Sequence, residues 1–138
     1  MIETREEYEY CKERGYEPLR DARFPMSHEL RLELQREFFG RGNNEENNLR
    51  FYKRAWEVAE PKVCENCGRP LYKYASWSVS HILSRGAHPE LAYDLRNFNL
   101  LCYSCHCAWE LPTTRKEMTI YNKNEKTIKL LKDEYGIK

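Results

Sequence analysis

A chain of 138 residues with 41% hydrophobic and 33% charged residues is long enough for one domain with a modest core. Its formal net charge of +1 gives no general attraction to nucleic acid, so phosphate contacts would need a local patch of cations. The sequence shows no signal-peptide segment and no apolar run long enough to cross a membrane. We therefore expect a cytoplasmic protein whose six cysteines stay reduced, which favours metal binding over disulfides.

Three helices are predicted before the first cysteine pair, because each has a capping residue in front of it and a helix-breaking residue behind it. Thr4 opens a capping box, Ser27 is a good N-cap, and Pro61 would end the third helix. The polar stretch 41–48 is turn-prone, and we place a boundary there. The predicted helices cover 5–14, Ser27 to Gly40 and Glu45 to Glu60.

The second part of the chain has the pattern of short strands separated by loops and helices. The stretch Tyr72 to Ile82 is rich in aromatic and β-branched residues, which predicts a strand or a hairpin. Gly86 and Pro89 mark 83–96 as a loop. The other predicted elements are a strand at 97–101, a short helix from His106 to Leu111, a strand from Met118 to Tyr121, and a helix from about Asn124 to Tyr135.

Two Cys-x-x-Cys pairs predict one structural zinc site, with Cys64, Cys67, Cys102 and Cys105 as ligands. Cys107 is an alternative fourth ligand, although the tight spacing of the second pair favours Cys105. Thirty-four residues separate the pairs, whereas a plain module of this kind has about 15–20. The long segment between the pairs is therefore expected to carry the functional residues. Cys11 and Cys107 are expected to be small buried apolar residues.

His106 and Glu110 are four residues apart, so they would share one face of a helix. An imidazole and a carboxylate together can bind a hard divalent ion. His81, at the end of a predicted strand, could face that ion as a general base, because histidine transfers protons near neutral pH. Taken alone, His81 is better explained as a core histidine on a strand. His106 could also be a zinc ligand or a helix cap, and Glu110 could equally be a solvated carboxylate.

The order of Ser80-His81, Asn97 and the segment 101–106 resembles the HNH endonucleases of the ββα-metal superfamily. Asn97 follows His81 by sixteen positions and precedes His106 by nine, which is similar to the spacing in that family. The resemblance covers roughly residues 61–112. It implies an α+β fold: a small zinc-stapled core of two strands and a helix, with additional helices at both ends.

The resemblance also implies a role for each motif residue. His81 would be the general base that activates a water molecule, and Asn97 would hold the loop that orients His81. His106 would bind one catalytic divalent ion, Mg²⁺ or Mn²⁺, beside the scissile phosphate of DNA. Cleavage of this kind leaves a 5′-phosphate and a 3′-hydroxyl.

The sequence departs from the family at Ser80, where many members have an aspartate or a histidine that also binds the ion. A hydroxyl is a weaker ligand, so Ser80 would contact the ion through water, or another group would take its place. Glu110 is the leading substitute, and His88 is the second one.

Arg85 and Arg96 flank the proposed site, and together with His88 they are candidates for phosphate contacts, with ordinary surface charge as the alternative. Three large aromatic residues are expected in the core rather than stacked on bases: Trp77, Phe98 and Trp109.

We divide the chain into an N-terminal helical extension (1–44), the zinc-bound core with its leading helix (45–112) and a C-terminal tail packed on the core (113–138). The favoured function is a metal-dependent DNA endonuclease of a kind common in phages and bacteria. Two alternatives stay open: a non-catalytic nucleic-acid-binding module on the same scaffold, and a zinc-stabilised adaptor for protein interactions. The sequence is compatible with a monomer and with a homodimer.

Overall fold

The computed structural model of the protein describes residues 1–138. It has six helices, two short strands, and single 3₁₀ turns at Ser76–Ser78 and Pro89–Leu91. The regular elements are α1 (Arg5–Glu13), α2 (His28–Phe39), α3 (Glu45–Val58), β1 (Val79–His81), β2 (Phe98–Leu100), α4 (Tyr103–Glu110), α5 (Pro112–Arg115) and α6 (Tyr121–Tyr135). The predicted α+β class is confirmed. No helix is both long and apolar enough to span a membrane.

The three N-terminal helices form where the capping signals predict them. The hydroxyl of Thr4 accepts a hydrogen bond from the backbone N–H of Glu7. The carboxylate of Glu7 accepts one from the N–H of Thr4, so the capping box is complete. Ser27 caps α2, and Asn44 caps α3 through the N–H of Asn47 at 2.9 Å. The third helix ends at Val58, slightly before its predicted end.

The two strands form one antiparallel hairpin-like sheet in which His81 lies opposite Phe98 and Ser80 lies opposite Asn99. The predicted strand from Tyr72 is wrong before residue 79, because residues 76–78 close a turn and have no partner strand. The predicted strand from Met118 is also wrong. Tyr121 begins α6, and the apolar residues before it pack into a core without joining the sheet.

The buried apolar side chains form two separate hydrophobic cores. The larger core joins α1, α2 and α3 to side chains of both strands, including Phe51 and Phe98. The smaller core surrounds Trp109 of α4, whose indole N–H donates to the carbonyl of Ile82 at 3.1 Å. Side chains of both strands therefore pack against the N-terminal helices, and the ring of His81 at the end of β1 stacks on Phe51 of α3.

Burial confirms the predicted core positions of Phe98 and Trp109, each 1% exposed. The same prediction is wrong for Trp77, which is 43% exposed. Cys107 is exposed as well, because it lies on the outer side of α4, and Cys11 is only partly buried. Helix α6 ends at Gly136 in the left-handed conformation, as the glycine stop signal predicts.

Candidate active site

The four paired cysteines converge in a zinc-binding arrangement. Their sulfur atoms all lie within 4.8 Å of one another, and those of Cys67 and Cys102 are 3.8 Å apart. Sulfur ligands about 2.3 Å from a tetrahedral zinc ion are separated by about 3.8 Å, so this donor set fits the metal. Burial alone would raise the pKa of the Cys64 thiol, but backbone N–H groups around it lower that pKa to about 7.

His81, at the end of β1, has one ring nitrogen fixed and the other free. Its Nε2 donates to the carbonyl oxygen of Ala92 at 2.8 Å, and the ring stacks on Phe51 with centroids 5.3 Å apart. Because a carbonyl only accepts, the proton is on Nε2 and the lone pair is on Nδ1, which has no hydrogen-bond partner in the protein. Burial lowers the pKa of His81 to about 4, so the ring is neutral at neutral pH.

Asn97 holds the loop that contacts His81. Its side chain is fully buried and makes three hydrogen bonds: Oδ1 accepts from the N–H of Leu83, and Nδ2 donates to the carbonyls of Leu83 and Leu91. The carbonyl that binds His81 belongs to Ala92, the residue after Leu91. The amide of Asn97 thus fixes the backbone on which the tautomer of His81 depends.

His106 and Glu110 form a second pair of functional groups on α4. Nδ1 of His106 donates to the carbonyl of Trp77, which leaves Nε2 next to the Glu110 carboxylate at 2.9 Å. Neighbouring ligands of an octahedral ion, each about 2.1 Å from it, lie about 3 Å apart. The pair therefore fits two positions around a divalent cation. Without an ion, the same two side chains form a hydrogen-bonded ion pair when His106 is protonated.

His81, His106 and Glu110 line one open cavity of about 800 Å³. Arg85 and Arg115 line it as well, and neither forms an ion pair with a carboxylate of the protein. Arg115 is held by a hydrogen bond from its Nε to the carbonyl of Trp109 at 2.8 Å. The cavity thus combines a free imidazole nitrogen, a pair of potential metal ligands and two guanidinium groups. This combination suits a phosphate ester.

Residues 64–108 match the family model of the HNH endonucleases. The matched segment, called the HNH segment below, contains both cysteine pairs, His81, Asn97 and His106. At the family level it supports a nuclease or nucleic-acid-related function. No curated protein and no solved structure is similar enough to the chain to add a second comparison.

Two predicted site residues of the HNH segment lie away from the cavity. Ser80 is 1% exposed, and strand alternation turns its side chain to the face opposite His81, so it does not lie beside His106. Arg96 is bound by the carboxylates of Asp94 and Glu134 at 2.7 and 2.8 Å, which commits its guanidinium to the interior. The structure does not bring either residue to the cavity.

The remaining candidates do reach the cavity. His88 lines it, 3.6 Å from the carboxylate of Glu90, and Arg85 lies 5.6 Å from the ring centre of Tyr52. Glu110 and Arg115 also line it, although both lie beyond the HNH segment. Helical spacing from His106 is the sequence signal for Glu110. Arg115 has no such signal, because the short helix after Pro112 places it there.

Proposed function

We propose that the protein is a metal-dependent DNA endonuclease that hydrolyses a phosphodiester bond with His81 as general base. The observation that carries this proposal is the shared cavity. The free Nδ1 of His81 and the His106–Glu110 pair belong to side chains that line the same space, with two unpaired guanidinium groups. General base, metal ligands and phosphate-binding cations are the components that such a hydrolysis needs.

His81 would take a proton from the attacking water at Nδ1, while the Ala92 carbonyl holds the Nε2 proton in place. The low pKa keeps the imidazole neutral before substrate binds. A phosphate anion in the cavity would raise that pKa, because a nearby negative charge favours the protonated ring. Substrate binding would thus make His81 a stronger base in the complex that reacts.

The His106–Glu110 pair would hold one divalent ion, Mg²⁺ or Mn²⁺. When bound there, such an ion polarises the scissile phosphate and stabilises the developing charge on the leaving 3′ oxygen. The carbonyl of Trp77 orients the imidazole of His106 from its other side, a common arrangement for metal-binding histidines. Arg85 and Arg115 would bind the non-bridging phosphate oxygens, and His88 is a further candidate for such a contact.

The test is cleavage of supercoiled plasmid DNA with Mg²⁺ or Mn²⁺ by the zinc-loaded protein and its His81→Ala variant. We expect the wild type to cut and to leave 5′-phosphate and 3′-hydroxyl ends, and the variant to lose activity with its zinc content and unfolding temperature unchanged. Cleavage that survives His81→Ala would contradict the mechanism. Salt-sensitive DNA binding without any cleavage would instead support a non-catalytic binding module.

A further inference from the structure

Two large aromatic rings lie exposed and in contact with each other beside the proposed active site. Trp77 is 43% exposed and Tyr103 is 64% exposed. Their ring centres are 5.7 Å apart and the planes meet at 87°, an edge-to-face pair. Trp77 also lines the cavity that contains His81. This pair is called the aromatic pair below.

The backbone of both aromatic residues is held in place by residues of the proposed active site and the zinc site. Trp77 lies in the turn Ser76–Ser78, and its carbonyl accepts the hydrogen bond from His106. Tyr103 directly follows the predicted zinc ligand Cys102 at the start of α4. Rings held on fixed backbone lose little conformational freedom when a ligand packs on them.

We propose that the aromatic pair is a stacking site for an unpaired nucleobase of the DNA strand that is cut. The inference rests on the proposed nuclease function. If Arg85 and Arg115 bind a phosphate inside the cavity, the nucleotides on either side of that phosphate must lie along the rim of the cavity. An aromatic ring binds the face of any base and therefore adds affinity without selecting a sequence.

A base inside an intact duplex already stacks on its neighbours, whereas an unpaired base has a free face. Stacking on Trp77 or Tyr103 therefore favours substrates with splayed or single-stranded nucleotides next to the scissile phosphate. Nicked, branched and single-stranded DNA would bind more tightly than a continuous duplex of the same length.

Tryptophan fluorescence tests the proposal, because a stacked base quenches the indole it covers. In the His81→Ala background, which prevents cleavage, a single-stranded thymidine oligomer is titrated against an abasic oligomer of equal length. The thymidine oligomer should quench the fluorescence and the abasic one should not, and Trp77→Phe should remove the quenching. Of the other two tryptophans, Trp109 is buried and Trp56 is partly buried.

Affinity gives an independent readout through the fluorescence anisotropy of a labelled oligomer. Trp77→Ala and Tyr103→Ala should each bind the thymidine oligomer about 5- to 100-fold more weakly. The matched control is Tyr72→Ala, since Tyr72 is 89% exposed and lies outside the cavity lining, and its affinity should not change. Zinc content shows that each variant is folded.

Equal quenching by the abasic oligomer, or unchanged affinity in both aromatic variants, would overturn the stacking site. An oligomer that does not bind at all would overturn it as well. None of these results decides the nuclease function, which plasmid cleavage by the wild type tests separately.

Discussion

At the residue scale, the chemistry of His81 is set by a single carbonyl group. The Ala92 oxygen can only accept, so it selects the tautomer with the proton on Nε2 and leaves Nδ1 as the base. Burial against Phe51 then lowers the pKa of the ring. Neighbouring charges act in both directions, because Arg85 and His106 lower this pKa and Glu110 raises it.

The first prediction concerns this pKa. NMR titration of the imidazole should place the pKa of His81 near 4, well below the ordinary value of about 6.5. Between these two pH values the unfolded chain binds more protons than the folded one, so this group's contribution to stability falls as the pH drops from about 6.5 towards 4. A midpoint at or above 6.5 would show that the ring is solvated and not held as described.

Asn97 offers a second prediction at this scale. Asn97→Ala removes three hydrogen bonds and leaves both the N–H and the carbonyl of Leu83 unpaired, so we expect the free energy of unfolding to fall by about 2–4 kcal/mol. Because the loop also orients His81, the cleavage rate of the folded variant should drop by about 10- to 100-fold. Denaturant unfolding and cleavage at a temperature where the variant is folded measure the two effects.

Asn99 provides the matched control for Asn97. It is similarly buried, but its side chain contacts Glu65 and Asn124 on the face of the sheet that points away from His81. Asn99→Ala should lower stability to a similar extent and leave the cleavage rate of the folded protein nearly unchanged. Equal catalytic losses in both variants would mean that Asn97 acts only through general stability.

At the scale of elements, local signals predict the helices well but overstate the strands: the strand at 97–101 is confirmed, that from Tyr72 only at its end, and that from Met118 not at all. A helix such as α1 is specified by residues within it and beside it, so the capping box at Thr4 was sufficient. A strand needs a partner elsewhere in the chain. The aromatic and β-branched residues after Tyr72 and Met118 resemble strands, yet only Val79–His81 finds a partner, at Phe98–Leu100.

The third prediction concerns the two Cys-x-x-Cys pairs of the zinc site. Cys105→Ser should abolish stoichiometric zinc binding and lower the unfolding midpoint by more than about 10 °C, because structural zinc contributes about 10–16 kcal/mol of apparent binding energy. Cys107→Ser is the control, since Cys107 is exposed and outside the sulfur cluster, and it should change neither quantity. Zinc analysis and thermal unfolding give the answer. Metal loss from the Cys107 variant would mean that the fourth ligand is Cys107.

At the scale of the whole molecule, the C-terminal helix reaches back to the loop that carries the site. Glu134 of α6 accepts two hydrogen bonds from Arg96 and lies near Arg31 of α2. Burial alone would raise the pKa of Asp94, but the hydrogen bonds and charge of Arg96 lower it overall. This network joins α2 and α6 to the loop residues just before Asn97.

The fourth prediction compares two neighbouring carboxylates of α6. Glu134→Gln should lower the free energy of unfolding by about 2–3 kcal/mol, because Arg31 loses its ion-pair partner and Arg96 keeps only that of Asp94. Asp133→Asn should cost less than about 0.5 kcal/mol, since the Lys129–Asp133 pair is exposed to solvent. Equal losses in denaturant unfolding would refute a structural role for the network.

Sequence spacing predicts most residues of the candidate site. Tertiary packing determines which further side chains reach the cavity and which candidates do not. His81, Asn97 and His106 follow a pattern that can be read along the chain. Arg115 reaches the cavity only because α5 folds back beside Trp109, which no local signal encodes. Ser80 was a candidate by its position next to His81, but the period of a strand turns adjacent side chains to opposite faces.

In the proposed function, His81 and the His106–Glu110 pair act on one phosphate in one cavity. The anomalous scattering of Mn²⁺ in crystals of the zinc-loaded His81→Ala variant with bound DNA tests this arrangement. We predict a manganese peak at Nε2 of His106 and the carboxylate of Glu110, with a backbone phosphate beside it on the side of residue 81. A manganese ion bound by neither residue, or a phosphate bound elsewhere, would contradict the account.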